Sequence, residues 1–240
     1  MESLYLEFDQ NVPRYACTSC ANCKSVLGMS FCSVKKRGCC WYFPKFTLVD
    51  IQRMTKSLEG LNILEQIKNL PGTVIYRYYI HAKGFFDKSG YDRYMLKGNN
   101  SSLYNKDQYE EDTFSYEVNG HTLEDHTIFF RACPFVKSGY GCTLPPRFRT
   151  VVCNFFICSE VLDRSYPKEL LNQYLEERSR YSAWLNWENK SLEYLLKSHG
   201  VDLTTDFETS LKILQDEPMN TYDFPMLEPI IIGSPQPKGA

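Results

Sequence analysis

From Thr47 onward the apolar residues Leu48, Ile51, Met54 and Leu58 recur at three- and four-residue steps, the spacing of one helical face. Thr47 with Asp50 three residues later is a capping-box start in which Asp replaces the usual Glu. Gly60 is read as the stop of that helix. Leu61, Leu64 and Ile67 predict a second, closed by Asn69-Leu70-Pro71-Gly72. The pattern then changes. Residues 73–80, TVIYRYYI, are β-branched and aromatic and predict a strand. Residues 83–112 are rich in Gly, Asn, Ser, Asp and Tyr and read as an irregular insertion with a short strand at 91–96. Residues 114–118 ahead of Asn119-Gly120 carry a hairpin signal. Residues 127–130 predict a strand running into Cys133.

Helical spacing returns after Pro167. Leu170, Leu171, Tyr174, Leu175, Arg178, Tyr181 and Leu185 predict a helix to about Asn186. Leu192, Leu195 and Leu196 predict a second helix to His199-Gly200, and a third covers Phe207 to Leu214. Pro218, Pro225, Pro229, Pro235 and Pro237 make residues 217–240 an extended, flexible tail. Residues 1–16 read as a short leader with one strand. Residues 17–45 read as loop, because cysteines, Gly38 and Pro44 interrupt any period. The expected fold class is α+β. An irregular cysteine-rich core with short strands, helices after residue 46, spans 1–160 with an insertion near 83–126. A helical extension follows over 161–216.

Composition adds limits. With 240 residues, 43% of them hydrophobic, the chain can bury a real core without covalent staples. A net charge of −2 argues against a nucleic-acid partner, and Lys35, Lys36 and Arg37 read as a solvated turn. No apolar run approaches the roughly 18 residues of a membrane span. The first residues lack a basic segment followed by an apolar run, so the chain reads as cytoplasmic. In a reducing compartment structural disulfides are rare, which turns ten cysteines toward metal binding or redox chemistry. An exported, disulfide-stapled protein is the alternative.

The cysteines fall in two bursts. Cys17, Cys20, Cys23, Cys32, Cys39 and Cys40 form the first, and Cys133, Cys142, Cys153 and Cys158 the second. Cys17, Cys20 and Cys23 have the spacing of the first three ligands of a bacterial ferredoxin run. Cys39 and Cys40 are adjacent and point apart in an extended chain, so one of them reads as a small buried apolar residue. In the second burst Gly139 and Gly141 permit a tight turn between two cysteines. Arg147 and Arg149 lie between the next two, where they either offset thiolate charge or form surface ion pairs. No second Cys-x2-Cys knuckle occurs, which weakens a zinc ribbon. Trp41, Tyr42, Phe43, Phe129, Phe130, Phe135, Phe155 and Phe156 flank the cysteines and would exclude water, or else are ordinary core aromatics. His121 and His126 read as a hairpin-flanking pair, and His81 and His199 as surface or cap residues. No nucleotide-binding loop, nucleophile elbow or zinc-protease motif is present.

Cys17-x2-Cys20-x2-Cys23, the Cys39-Cys40 pair, a following helix with Asp50-Ile51, and the block from Cys133-Pro134-Phe135 through Cys142 to Cys153 together resemble the YkgJ-type cysteine-cluster family. This is the CxxCxxCC domain, a zinc- or iron-chelating family. The resemblance covers roughly residues 17–158, apart from the insertion. The chain departs from it where a segment containing Cys32 separates Cys23 from Cys39, and where Arg149-Thr150 replaces an Arg-Pro. A related cysteine pattern occurs in bacterial flagellin lysine methylases, and that likeness implies an iron–sulfur cluster. All ten cysteines stand as candidate ligands for a cluster of 4Fe–4S type, favoured over zinc, in a structural or electron-transfer role. A metal-dependent modifying enzyme and a zinc-stabilised interaction module with a protein partner are the alternatives.

Overall fold

The computed structural model of the protein describes residues 2–18, 43–99, 130–131, 133–137 and 141–233. It is a mixed α and β fold. Where one strand is expected near the start there are two. β1 (Glu2–Asp9) turns through Gln10 and Asn11 into antiparallel β2 (Val12–Cys17), with Asp9 opposite Val12. Gln10 takes a positive φ of 56°, as a two-residue hairpin loop demands.

β3 (Lys45–Thr47) leads directly into α1 (Leu48–Thr55). The Asp50 carboxylate accepts from both the backbone N–H and the hydroxyl of Thr47, each at 2.9 Å, so the capping signal is realised. α1 is buried almost all round, from Leu48 through Met54, and forms the centre of the molecule. Gly60 does not stop it. The helix ends at Thr55, and Gly60 lies in the first turn of α2 (Leu58–Asn69), where the Ser57 hydroxyl caps its N–H. A Cβ at Gly60 would stand 2.2 Å from the carbonyl oxygen of Met54, so glycine lets the two helices meet at a sharp corner.

The single strand expected over 73–80 is a hairpin of β4 (Thr73–Tyr76) and β5 (Tyr79–Ala82), giving the antiparallel order β3–β5–β4. β6 (Phe85–Phe86) pairs with β7 (Phe130–Arg131). The strand expected at 91–96 is instead part of α3 (Lys88–Asn99). Asp87 starts that helix by accepting from the Gly90 N–H at 3.0 Å, and Lys88 pairs with Asp92 one turn on. The hairpin signal at 114–120 lies outside the described residues, as does most of the strand at 127–130.

β8 (Val136–Lys137) and β9 (Gly141–Cys142) form a second small hairpin. A 3-10 turn (Pro146–Phe148), α4 (Val151–Asn154), α5 (Ser159–Arg164) and β10 (Ser165–Tyr166) follow. Next comes α6 (Lys168–Ser198), one 31-residue helix in place of the two expected. The largely polar stretch at 186–191 does not break it, because two of its polar side chains are used in tertiary contacts. Asn189 accepts from the Val49 N–H at the start of α1, at 3.0 Å, and Glu188 accepts from Asn220. α7 (Phe207–Asp216) matches the expected third helix and is capped by Asp206.

The tail departs most from expectation. β11 (Ile230–Ile232) lies between β10 and β1 in a four-stranded antiparallel sheet, order β10–β11–β1–β2. Ile230 is fully buried. The prolines keep 217–229 extended, but that segment is tied down. Gln52 donates to the Glu217 carbonyl at 3.0 Å, and the Tyr174 hydroxyl to that of Glu228 at 3.0 Å. Phe224 enters an aromatic cluster with Tyr15, Phe155 and Tyr181, where Tyr15 meets Phe155 edge-on at 4.6 Å. The Tyr15 hydroxyl donates to the Tyr174 carbonyl at 2.5 Å, fastening the N-terminal hairpin to α6. One hydrophobic cluster thus includes Leu4, Phe46, Ile51, Phe148, Leu196 and Ile232.

Candidate metal centre

Cys20, Cys23, Cys32, Cys39 and Cys40 lie outside the described residues, as do His121 and His126. Of the other five cysteines, the structure brings Cys133, Cys142 and Cys153 into one electrostatic group. Local geometry explains why. Cys133 immediately precedes the β8–β9 hairpin, and Val136 stands opposite Cys142 in its register. Thr143 donates its N–H and its hydroxyl to the Phe135 carbonyl, at 2.8 and 3.0 Å, and closes the loop. Pro145 and Pro146 then set the 3-10 turn that redirects the chain into α4, which carries Cys153.

The three cysteines are half-buried. Burial pushes Cys133 up to about 12, with the neighbouring Cys142 and Cys153 adding to the rise. The backbone amides of Phe135 and Val136 oppose that rise, and the Val136 N–H itself donates to the Cys133 carbonyl at 3.4 Å. Burial also raises Cys153. The Thr150 hydroxyl, 3.3 Å from its sulfur, and the Arg149 guanidinium act the other way, while Cys142 and Asp50 add to the rise. Phe135 packs edge-on to Phe46 at 5.8 Å and shields the hairpin base.

The two arginines divide between the roles considered for them. Arg147 is an ion-pair residue. Its guanidinium binds Asp9 at 2.9 Å and also Glu59, and its backbone N–H meets Asp9 at 3.0 Å. Arg149 instead donates to the carbonyls of Leu144, at 2.7 Å, and Cys142, at 3.4 Å, which keeps its charge beside the thiols.

Sequence reasoning took Asp50 as a helix cap and a family marker, and missed its place beside the thiols. Burial raises its carboxyl above the usual range, against the pull of Arg53 at 3.6 Å and the two Thr47 donors. Its field reaches both Cys153 and Tyr181. Asn154, next to Cys153, is also buried. Its amide nitrogen donates to Pro146 at 2.9 Å, and its side-chain oxygen has no partner among the described residues. No sequence signal could have marked that acceptor.

Cys17 stands at the end of β2 opposite Leu4, and Cys158 at the start of α5, where its carbonyl accepts from Leu162 at 3.0 Å. Both are half-buried against the core. His81 lies on β5, and His199 closes α6 with its ring 2.9 Å from the Leu195 carbonyl. Among the described residues no group of three or more His, Cys, Asp or Glu is arranged to hold a metal ion. Cys133, Cys142 and Cys153 are soft sulfur donors, the type that zinc and iron–sulfur clusters take. Among the described residues no helix is long and apolar enough to cross a membrane. Comparison with known family models, with curated proteins and with solved structures finds no match.

Proposed function

We propose that this protein is a metal-binding cysteine-cluster protein that holds an iron–sulfur cluster of 4Fe–4S type, or else zinc, in a structural or electron-transfer role. The observation that carries the reading is that Cys142 lies within electrostatic reach of both Cys133 and Cys153, whose thiols burial pushes upward, at the base of one small hairpin. Three thiols share that setting with a guanidinium, Arg149, that offsets thiolate charge. When bound, the metal would supply the positive charge that makes deprotonated thiols stable where burial alone keeps them protonated. The Arg149 guanidinium would stabilise the Cys153 sulfur in that form. The resemblance to the YkgJ-type family supports the same assignment, with Cys17, Cys20, Cys23, Cys32, Cys39 and Cys40 as the pool for the remaining ligands and Cys158 as a further candidate.

The reading is tested by substituting Cys133→Ser and Cys153→Ser, purifying both proteins without oxygen, and measuring metal per chain. Each variant is expected to lose most of its iron or zinc. Metal content equal to that of the unsubstituted protein contradicts the reading.

A further inference from the structure

A cleft of about 350 Å³ opens between α4 and α6, lined by Val151, Val152, Phe155, Phe156, Ile157, Arg178 and Ser182. Its size falls within the usual range for small-molecule sites. Phe155 is buried and joins the aromatic cluster, which gives the cleft a rigid floor. Phe156 and Val152 remain 50% and 43% exposed beside it. Large apolar side chains left in water around a concave surface point to an occupant.

The polar side of the cleft is cationic. Arg178 and Ser182 are one helical turn apart on α6 and share a face. The nearest acids on that helix, Glu176 and Glu177, are both engaged by Arg180. Among the described residues no carboxylate pairs with Arg178. A guanidinium on an apolar wall, with its local counter-ions committed elsewhere, calls for an anion.

We propose that this cleft binds a small organic acid, with an alkyl or aromatic body against Phe155, Phe156 and Val152 and its carboxylate on Arg178, assisted by the Ser182 hydroxyl. The site is separate from the thiol group, although α4 supplies Cys153 to one and Val151 and Val152 to the other. Its occupation does not depend on which metal the protein holds.

Octanoate serves as the probe, and octanol as its neutral counterpart. Calorimetric titration of the full chain is expected to show saturable octanoate binding and weaker octanol binding. Arg178→Gln should weaken octanoate by about tenfold or more, as loss of a charged hydrogen bond implies, and leave octanol unchanged. Val152→Trp, at an exposed rim position, should abolish both while the melting curve stays the same. Lys190→Gln, an exposed position further along α6, should bind octanoate as the unsubstituted protein does. Absence of saturable binding, equal affinity for acid and alcohol, or an Arg178→Gln protein that binds octanoate unchanged overturns the proposal. So does saturable binding of a peptide ending in an apolar residue where octanoate does not bind.

Discussion

Asp50 caps α1 through both donors of Thr47, faces Arg53, and lies within electrostatic reach of Cys153. Its first role was legible from the Thr47–Asp50 spacing, and its electrostatic reach to Cys153 was not, because that exists only in the folded arrangement of α1 and α4. Asp50→Ala should cost about 2–4 kcal/mol, combining a lost cap with an unpaired, mostly buried Arg53. Asp50→Asn, which keeps an acceptor for Thr47, should lose clearly less. Urea denaturation of the two variants checks this ordering, and equal losses contradict it. Tyr15 allows a pH prediction. Burial, together with Tyr174, pushes its phenol well above the usual tyrosine value, against Arg178. The unfolded chain therefore releases this proton at a lower pH than the folded one. The stability it contributes is complete below about pH 10 and falls as pH rises further. Tyr15→Phe should lose about 1 kcal/mol at neutral pH and show a shallower drop in melting temperature above pH 10. A drop of undiminished steepness contradicts the assignment.

Element boundaries were legible where one local signal acted alone and hidden where a distant contact decided. The cap of α1 and the periodicity of α7 needed only neighbouring residues. Gly60 was misread because a glycine that ends a helix and one that permits a close approach look the same in sequence. Gly60→Ala should destabilise by about 1–3 kcal/mol through overpacking against the Met54 backbone, measurable by thermal melting. An unchanged melt would show that the corner relaxes. The turn between β4 and β5 has no Gly, Asn or Asp. It is held by the Leu203 N–H on the Arg77 carbonyl at 3.0 Å, a partner more than a hundred residues away. β11 was concealed by the prolines flanking it, Pro225, Pro229 and Pro235, although its Ile-Ile-Ile run lies between two strands of the sheet. Removal of residues 217–240 should therefore expose β1 and β10, empty the Phe224 position in the aromatic cluster, and abolish a cooperative melt. A truncated chain that melts like the full one contradicts that placement.

For the whole molecule, the α+β class was readable from the alternation of helical and strand periods. The joining of N-terminal hairpin, central helix and C-terminal strand into one sheet-and-helix core was not. In the second burst, Cys133, Cys142 and Cys153 come within electrostatic reach of one another, while among the described residues they form no ready-made metal site. The arginine pair between them was ambiguous in sequence and divides cleanly in space, Arg147 to Asp9 and Glu59, Arg149 to the thiol loop. The two proposals for this fold, a metal centre at the thiols and an acid-binding cleft across α4 and α6, fail independently, since one is read by metal and the other by calorimetry with octanoate. The central claim is that the cysteine bursts hold a metal. It is tested most directly by purifying the full chain without oxygen and measuring iron, acid-labile sulfide, zinc and the absorption spectrum. The account predicts iron with sulfide and broad visible absorption, or zinc without colour, removed by chelator with a fall in melting temperature. A colourless protein with neither metal, whose melting temperature chelator leaves unchanged, would contradict it.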